Sequence, residues 1–247
     1  DGLLAKKELG TGCVKVTPGH DLADYERGAR HGLPIILLLD RDGTMNENAG
    51  PFQGKSRELA RKEIVAQLEE MGQLDRVEDI THSQPISDRS KTVIEPLVSE
   101  QWFVKMEDLA RPAIDSIDRG SLKFRPERWT KVYLDWLNNV QDWCISRQLW
   151  WGHRIPVWYD EDGVPCASVV DLELGSVHPT TGKPIVSQDP DVLDTWASSW
   201  LWPFATLGWP EQTEDLARFY PTQFLATARD IIYLWVARMV MAGHALL

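Results

Sequence analysis

Pro34-Ile-Ile-Leu-Leu-Leu-Asp-Arg-Asp-Gly-Thr-Met45 offers two incompatible readings of the chain. Its apolar run predicts a fully buried strand, Pro34–Leu39. Asp40–Thr44 is then either a catalytic strand end or a tight turn. In the first case Asp40 attacks phosphorus and Asp42, two residues on, does acid/base work. That chemistry also needs a strand-end Ser or Thr, a lysine on the phosphate, and a later acidic pair for Mg²⁺. The acidic cluster downstream, Gln188-Asp-Pro-Asp-Val-Leu-Asp194, has no strand leading into it. In the second case Asp-Gly closes a hairpin, for which it is among the strongest short signals. The turn is the reading we carry forward. A Mg-dependent phosphatase of the haloacid-dehalogenase type, using Asp40 and Asp42, is the alternative.

Outward from that run, local signals predict an α/β segment. Cys13–Val16 is short and β-prone. His20 to Gly32 reads as a helix with Asp21 as N-cap, Asp24 three residues on, and Gly32 as the stop. Ser56 caps a second helix, in which Ala60, Ile64, Leu68 and Met71 form one stripe and Gly72 ends it. From about Thr81 to Lys131 the texture turns to short strands, such as Thr92-Val-Ile and Gln101-Trp-Phe-Val104, with one helix near Asp108–Asp118. Tyr133, Trp136, Leu137 and Val140 mark an amphipathic helix. Residues 160–190, rich in Gly, Pro, Asp and Ser, read as a small hairpin-bearing insertion. The last stretch, from Arg229, is a strongly apolar helix.

Bulk properties narrow the class. With 247 residues, 43% hydrophobic and 26% charged, the chain has the composition of an ordinary globular protein with one or two domains. A net charge of −11 argues against wholesale attraction to nucleic acid or membrane, although a local basic patch is compatible with it. No apolar run reaches the roughly 18–20 residues that span a bilayer. Cys13, Cys144 and Cys166 lack a CxxC spacing, which favours reduced thiols, a cytoplasmic setting and no zinc site. The opening at Asp1 and the apolar close at Leu247 suggest an internal piece of a longer polypeptide.

Residues 10–34, GTGCVKVTPGHDLADYERGARHGLP, resemble the editing domain of the valyl-tRNA synthetases, class I aminoacyl-tRNA synthetases. The likeness continues through Asp42-Gly-Thr-Met-Asn-Glu47, Val93 to Val104, DWCISRQLWWGHRIPVWY (142–159), DVLDTWASSWLWPFATLGWP (191–210) and DIIYLWVARM (230–239). It implies an α/β chain: a β-barrel-like editing segment, a stem, and part of a Rossmann-type core with a small insertion. The implied boundaries are 1–80 for the rear of the editing domain, 81–131 for the stem, 132–159 and 191–247 for the core, and 160–190 for the insertion.

The resemblance also implies an activity: ATP-dependent attachment of valine to tRNA(Val), with hydrolysis of mischarged threonyl-tRNA. Trp196, Ile231 and Trp235 would wall the valine slot, Ile231 and Trp235 being i and i+4 on a helix. Such a slot refuses threonine only about a hundredfold, the known figure for this substrate pair in these enzymes, so a second, hydrolytic site is required. There Asp21 would meet the α-ammonium of a threonyl ester and Asp24 its hydroxyl, while Lys15 and Thr17 would meet the terminal adenosine and the ester. Asp230 would reach the adenylate, although Thr-Ala-Arg-Asp230 stands where Gly-aromatic-Asp is common, and Ala197 stands where Phe is common. The family's Thr-Arg-Pro-Glu-Thr strand, HIGH tetrad and KMSKS loop do not occur in these residues. The parent enzyme would use ATP and Mg²⁺ and be a monomer. The chain alone would bind no cofactor or metal and would not aminoacylate. Trp150 and Trp151 read as packing residues.

Overall fold

A computed structural model describes Glu8 and residues 11–247, in two compact units: one ending at Glu100, the other Gln101–Leu247. The architecture is mixed α/β.

In the first unit, helix α1 (Leu22–His31) forms where its caps predict it. The Asp21 side chain accepts from the Asp24 backbone N–H, and Gly32 closes the helix in the left-handed region at φ 62°. Helix α2 (Arg57–Glu70) starts at Ser56, whose hydroxyl accepts from the Leu59 N–H. Of its expected apolar stripe only Ala60 is buried; Ile64 and Met71 are exposed.

The expected strands at Pro34–Leu39 and Cys13–Val16 do not form. Ile35 and Ile36 are exposed, and side chains rather than a neighbouring strand satisfy the backbone nearby. Leu38 N–H donates to His20 Nε2 at 2.8 Å, and the Leu37 carbonyl accepts from Asn46 Nδ2 and Asn48 Nδ2, both at 2.9 Å. Beyond them the turn does form. Leu39 bridges Met45, Gly43 N–H donates to the Asp40 carbonyl, and Asp42 Oδ1 accepts from the Thr44 N–H and hydroxyl.

The second unit is built on apolar packing. Its elements are β1 (Phe103–Val104), α3 (Glu107–Asp118), α4 (Trp129–Asn138), β2 (Trp143–Cys144), β3 (Ser146–Arg147), β4 (Val157–Asp160), β5 (Pro165–Ala167), β6 (Ile185–Gln188) and β7 (Val192–Leu193). Then come α5 (Thr195–Ser199), α6 (Trp202–Ala205), α7 (Glu214–Phe219), a π-helical turn over Ile232–Val236, and α8 (Ala237–Leu246). The named strands pair antiparallel: β1 with β2, β3 with β7, and β4 between β5 and β6. In the last of these sheets β5 and β6 lie within residues 160–190, while the central strand β4 begins before them, at Val157.

The main core joins Met106, Ala110 and Ala113 of α3, Tyr133 and Leu137 of α4, Trp143 of β2, and Ile232, Ala237 and Met241. Burial pushes the Tyr133 hydroxyl well above its ordinary pKa, and it donates to the Ala113 carbonyl. The apolar C-terminal segment differs from a plain α-helix. Ala237 N–H bonds the Ile232 carbonyl, five residues back, so the turn is wider than the α-helical period assumes. No helix among the described residues is long and apolar enough to cross a membrane.

Candidate functional site

Two groups of expected residues lie in different units. In the first unit, Thr17 and Asp24 meet at the start of α1. Asp24 Oδ2 accepts from the Thr17 N–H at 2.9 Å and the Thr17 hydroxyl at 3.3 Å, and Lys15 Nζ donates to the same hydroxyl at 3.4 Å. Asp24 Oδ1 pairs with Arg27 Nη1 at 2.6 Å. The Thr17 backbone N–H, joined by Arg27 and the Thr17 hydroxyl, holds the Asp24 carboxyl below its ordinary pKa against the opposing effect of burial. Asp21 is exposed, and its Oδ1 caps the helix by accepting from the Asp24 N–H at 2.8 Å. All four residues therefore cluster, with Asp24 at the centre.

Two further residues complete this cluster. Arg27 lies one helical turn after Asp24, a spacing that is itself a sequence signal for a pair. His20 accepts from the Leu38 N–H through Nε2, which leaves Nδ1 to carry the proton and donate to the Pro96 carbonyl at 3.1 Å. No local pattern announces that bridge, because Pro96 is 76 positions away.

In the second unit, Trp196 sits in the first turn of α5, half-buried against the main core. Trp235, in the π-helical turn, donates its indole N–H to the Ser199 carbonyl at 2.9 Å, fastening that turn to the C-terminal end of α5. Ile231 lies at the entrance of the same turn, half-buried; its neighbour Ile232 is the one in the core. The structure thus brings Trp235 against the helix of Trp196. The shared face expected for Ile231 and Trp235 on an α-helix is replaced by the wider π turn. Two surface clefts lie elsewhere, one against α3 and α4 and one lined by residues between Leu37 and Glu100.

A polar network holds the other end of α5. Buried Asp194 accepts from Arg147 Nη2 at 2.7 Å and Trp143 Nε1 at 3.0 Å on one oxygen, and from the Trp196 N–H at 3.2 Å on the other. The Arg238 guanidinium lies 4.0 Å from the Trp143 ring centroid. Burial depresses its pKa, and neighbouring Asp194 partly offsets this. On sequence alone Arg147, with Gln148, His153 and Arg154, is a candidate to face tRNA or the active-site rim, and neither Asp194 nor Arg238 stands out.

Residues 58–247 match the model of the tRNA synthetases class I (I, L, M and V). The chain belongs to that family.

Among relatives, the class I chain is 56% identical over 236 residues to the valine–tRNA ligase of Dehalococcoides mccartyi strain 195, covering 95% of this chain and 26% of that protein. It is 56% identical to the valine–tRNA ligase of Carboxydothermus hydrogenoformans, covering 96% and 27%. To that of Thermotoga maritima it is 54% identical, with the same coverage of 96% and 27%. The homology to valine–tRNA ligases read from the motifs therefore extends over nearly the whole chain. The chain spans about a quarter of the length of these curated relatives.

Other motif residues of the chain fall outside either cluster. Asp230 is exposed and accepts from Arg229 Nε at 3.2 Å. Trp150 and Trp151, expected to pack, are fully exposed at the tip of a loop. Its stem is pinned by Gln148 on Asp191 and by Arg154 on the carbonyls of Gln188 and Asp189. Gly152 in that loop tolerates no side chain, since a Cβ would stand 2.9 Å from Val192 Cγ2. Among the described residues no group of three His, Cys, Asp or Glu side chains comes together to hold a metal ion. The described residues therefore offer no side-chain set that fits Mg²⁺.

Proposed function

We propose that the chain works as part of a valine–tRNA ligase, in which valine is activated with ATP and joined to tRNA(Val) and mischarged threonyl-tRNA is hydrolysed. The observation that carries this reading is the Trp235 indole bonded to the Ser199 carbonyl, which ties the turn that carries Trp235 to the short helix that carries Trp196. The valine–tRNA ligase relatives support it. Two indoles and a branched aliphatic make a stiff apolar wall, against which one surplus methylene costs about 1–3 kcal/mol. In this reading residues 1–80 belong to an editing domain of barrel type and 81–131 to a stem. Residues 132–159 and 191–247 belong to a Rossmann-type core, with 160–190 inserted. Asp230 stands on the adenylate side.

The polar cluster suits the editing role because it offers an acceptor for the hydroxyl that threonine has and valine lacks. Among the described residues Asp24 Oδ1 accepts from Arg27 alone, and a carboxylate oxygen has a second acceptor position for the substrate hydroxyl. Exposed Asp21 faces the α-ammonium. Lys15 and Thr17 take the ester and the terminal adenosine, the Thr17 hydroxyl being oriented by Asp24. Titrating the ¹⁵N-labelled chain with amino acids tests the synthetic half. L-valine is expected to shift the Trp196 and Trp235 indole signals at lower concentration than L-isoleucine does. Identical responses to both, or none, would remove these residues from the valine site.

A further inference from the structure

Helix α5 carries Trp196 yet has only five residues, too few to hold itself in place by backbone hydrogen bonds alone. Its position is set at its ends. The C-terminal end is tied by Trp235 to the π-helical turn. The N-terminal end is tied by Asp194, and the tie runs deeper than a cap. One carboxylate oxygen receives the Trp196 N–H; the other receives donors from two different strands, Trp143 of β2 and Arg147 of β3. Arg147 is itself fixed, its Nη1 donating to the carbonyls of Cys144 at 2.9 Å and Ser146 at 2.8 Å. Asp194 N–H donates to the Ile145 carbonyl at 2.7 Å, so backbone and side chain are both anchored.

A cap alone needs one acceptor oxygen, which Asn supplies as well as Asp. The second oxygen, buried and aimed at a guanidinium and an indole, does something a cap does not require. It registers the first turn of α5 against the strands. Sites that discriminate by shape depend on side chains held to a fraction of an ångström by such supporting bonds. We propose that Asp194, anchored by Arg147, is a positioning residue that sets where the Trp196 ring stands against the branched side chain of the amino-acid substrate. This rests on the valine reading above and adds a specificity determinant to it.

The test separates cap from anchor in the 247-residue chain. Asp194→Asn keeps an acceptor for the Trp196 N–H but turns an amide toward two donors, so the anchor is lost while the cap survives. The Trp196 indole signal is expected to move in Asp194→Asn and further in Asp194→Ala, while the far-UV circular dichroism stays native. The preference for valine over isoleucine, taken as the ratio of dissociation constants, is expected to fall about tenfold in Asp194→Asn. Arg147→Lys, which keeps the charge but not the fork, should fall between it and the native chain. An Asp194→Asn chain with the native ratio and an unmoved Trp196 signal would reduce Asp194 to a cap and overturn the proposal. If that variant does not fold, Arg147→Ala removes the guanidinium from the anchor and leaves the cap and the Trp143 bond, with the same two outcomes. If the native chain does not respond to valine, the valine reading falls. Displacement of the Trp196 indole in Asp194→Asn then still decides the positioning role, supporting it if seen and overturning it if absent.

Discussion

Before Gln101, Pro18 and Ala60 are the only apolar side chains that the described residues bury. From Gln101 onward, burial gathers three apolar clusters around Tyr133, Trp158 and Phe204. The first unit is instead held by side chains that bond backbone: His20 between Leu38 and Pro96, Asn46 and Asn48 on Leu37, and Asp24 on Thr17. One region resists water by excluding it, the other by replacing its hydrogen bonds. The two respond to different stresses, since apolar burial is indifferent to pH whereas a charged acceptor is not.

The largest expected effect comes from the apolar side. Trp143→Ala removes a buried indole, its bond to Asp194 and the Arg238 stack, and is expected to cost the second unit about 3–5 kcal/mol. Urea unfolding followed by residue-resolved NMR should show that unit melting early and the first unit unchanged. A shift of both together would break the comparison.

Next is Asp24→Asn, expected to cost the first unit about 2 kcal/mol at neutral pH through lost charged hydrogen bonds. The folded Asp24 carboxyl lies below its ordinary value, so its contribution is complete above the unfolded value, near pH 4, and drains away as pH falls through the folded one. The gap between native and variant stability should therefore close below about pH 4, while the Trp143→Ala gap persists. A pH-independent Asp24→Asn gap would show that the polar network is held by shape rather than charge.

The smallest concerns Gly28, inside α1. Alanine there gains about 1 kcal/mol of helix propensity, but its Cβ would meet Pro18 Cγ at 2.8 Å. A net loss of about 0.5 kcal/mol is expected in the same unfolding assay. A net gain would mean that the Pro18 contact yields easily and that the first unit is packed more loosely than its short contacts suggest.

What could be read from the sequence followed the range of the interactions. Both ends of α1 were legible because Asp21 and Gly32 act within a few residues, and so was the Asp-Gly turn. The strand at 34–39 was misread because an apolar run says nothing about what satisfies its backbone. Here His20 and two asparagines do so from 9 to 18 positions away. The π-helical turn escaped because apolar spacing alone does not separate an α from a π turn over five residues. The motif tryptophans split in a way composition does not foretell: Trp143 is core, while Trp150 and Trp151 are exposed. The Asp194 network joins positions 47 and 51 apart, beyond the reach of any local pattern.

Trp235 combines two duties in one ring, as lining of the proposed slot and as the bolt on α5 through its indole N–H. Phenylalanine there would keep an aromatic surface and withdraw the bolt, and a smaller residue would widen the slot and unfasten its opposite wall at once. The breadth of the slot and the placement of α5 therefore cannot drift independently at this position. In the proposed slot, acceptance of a bulkier amino acid through a change at Trp235 would therefore call for a second change that re-fastens α5.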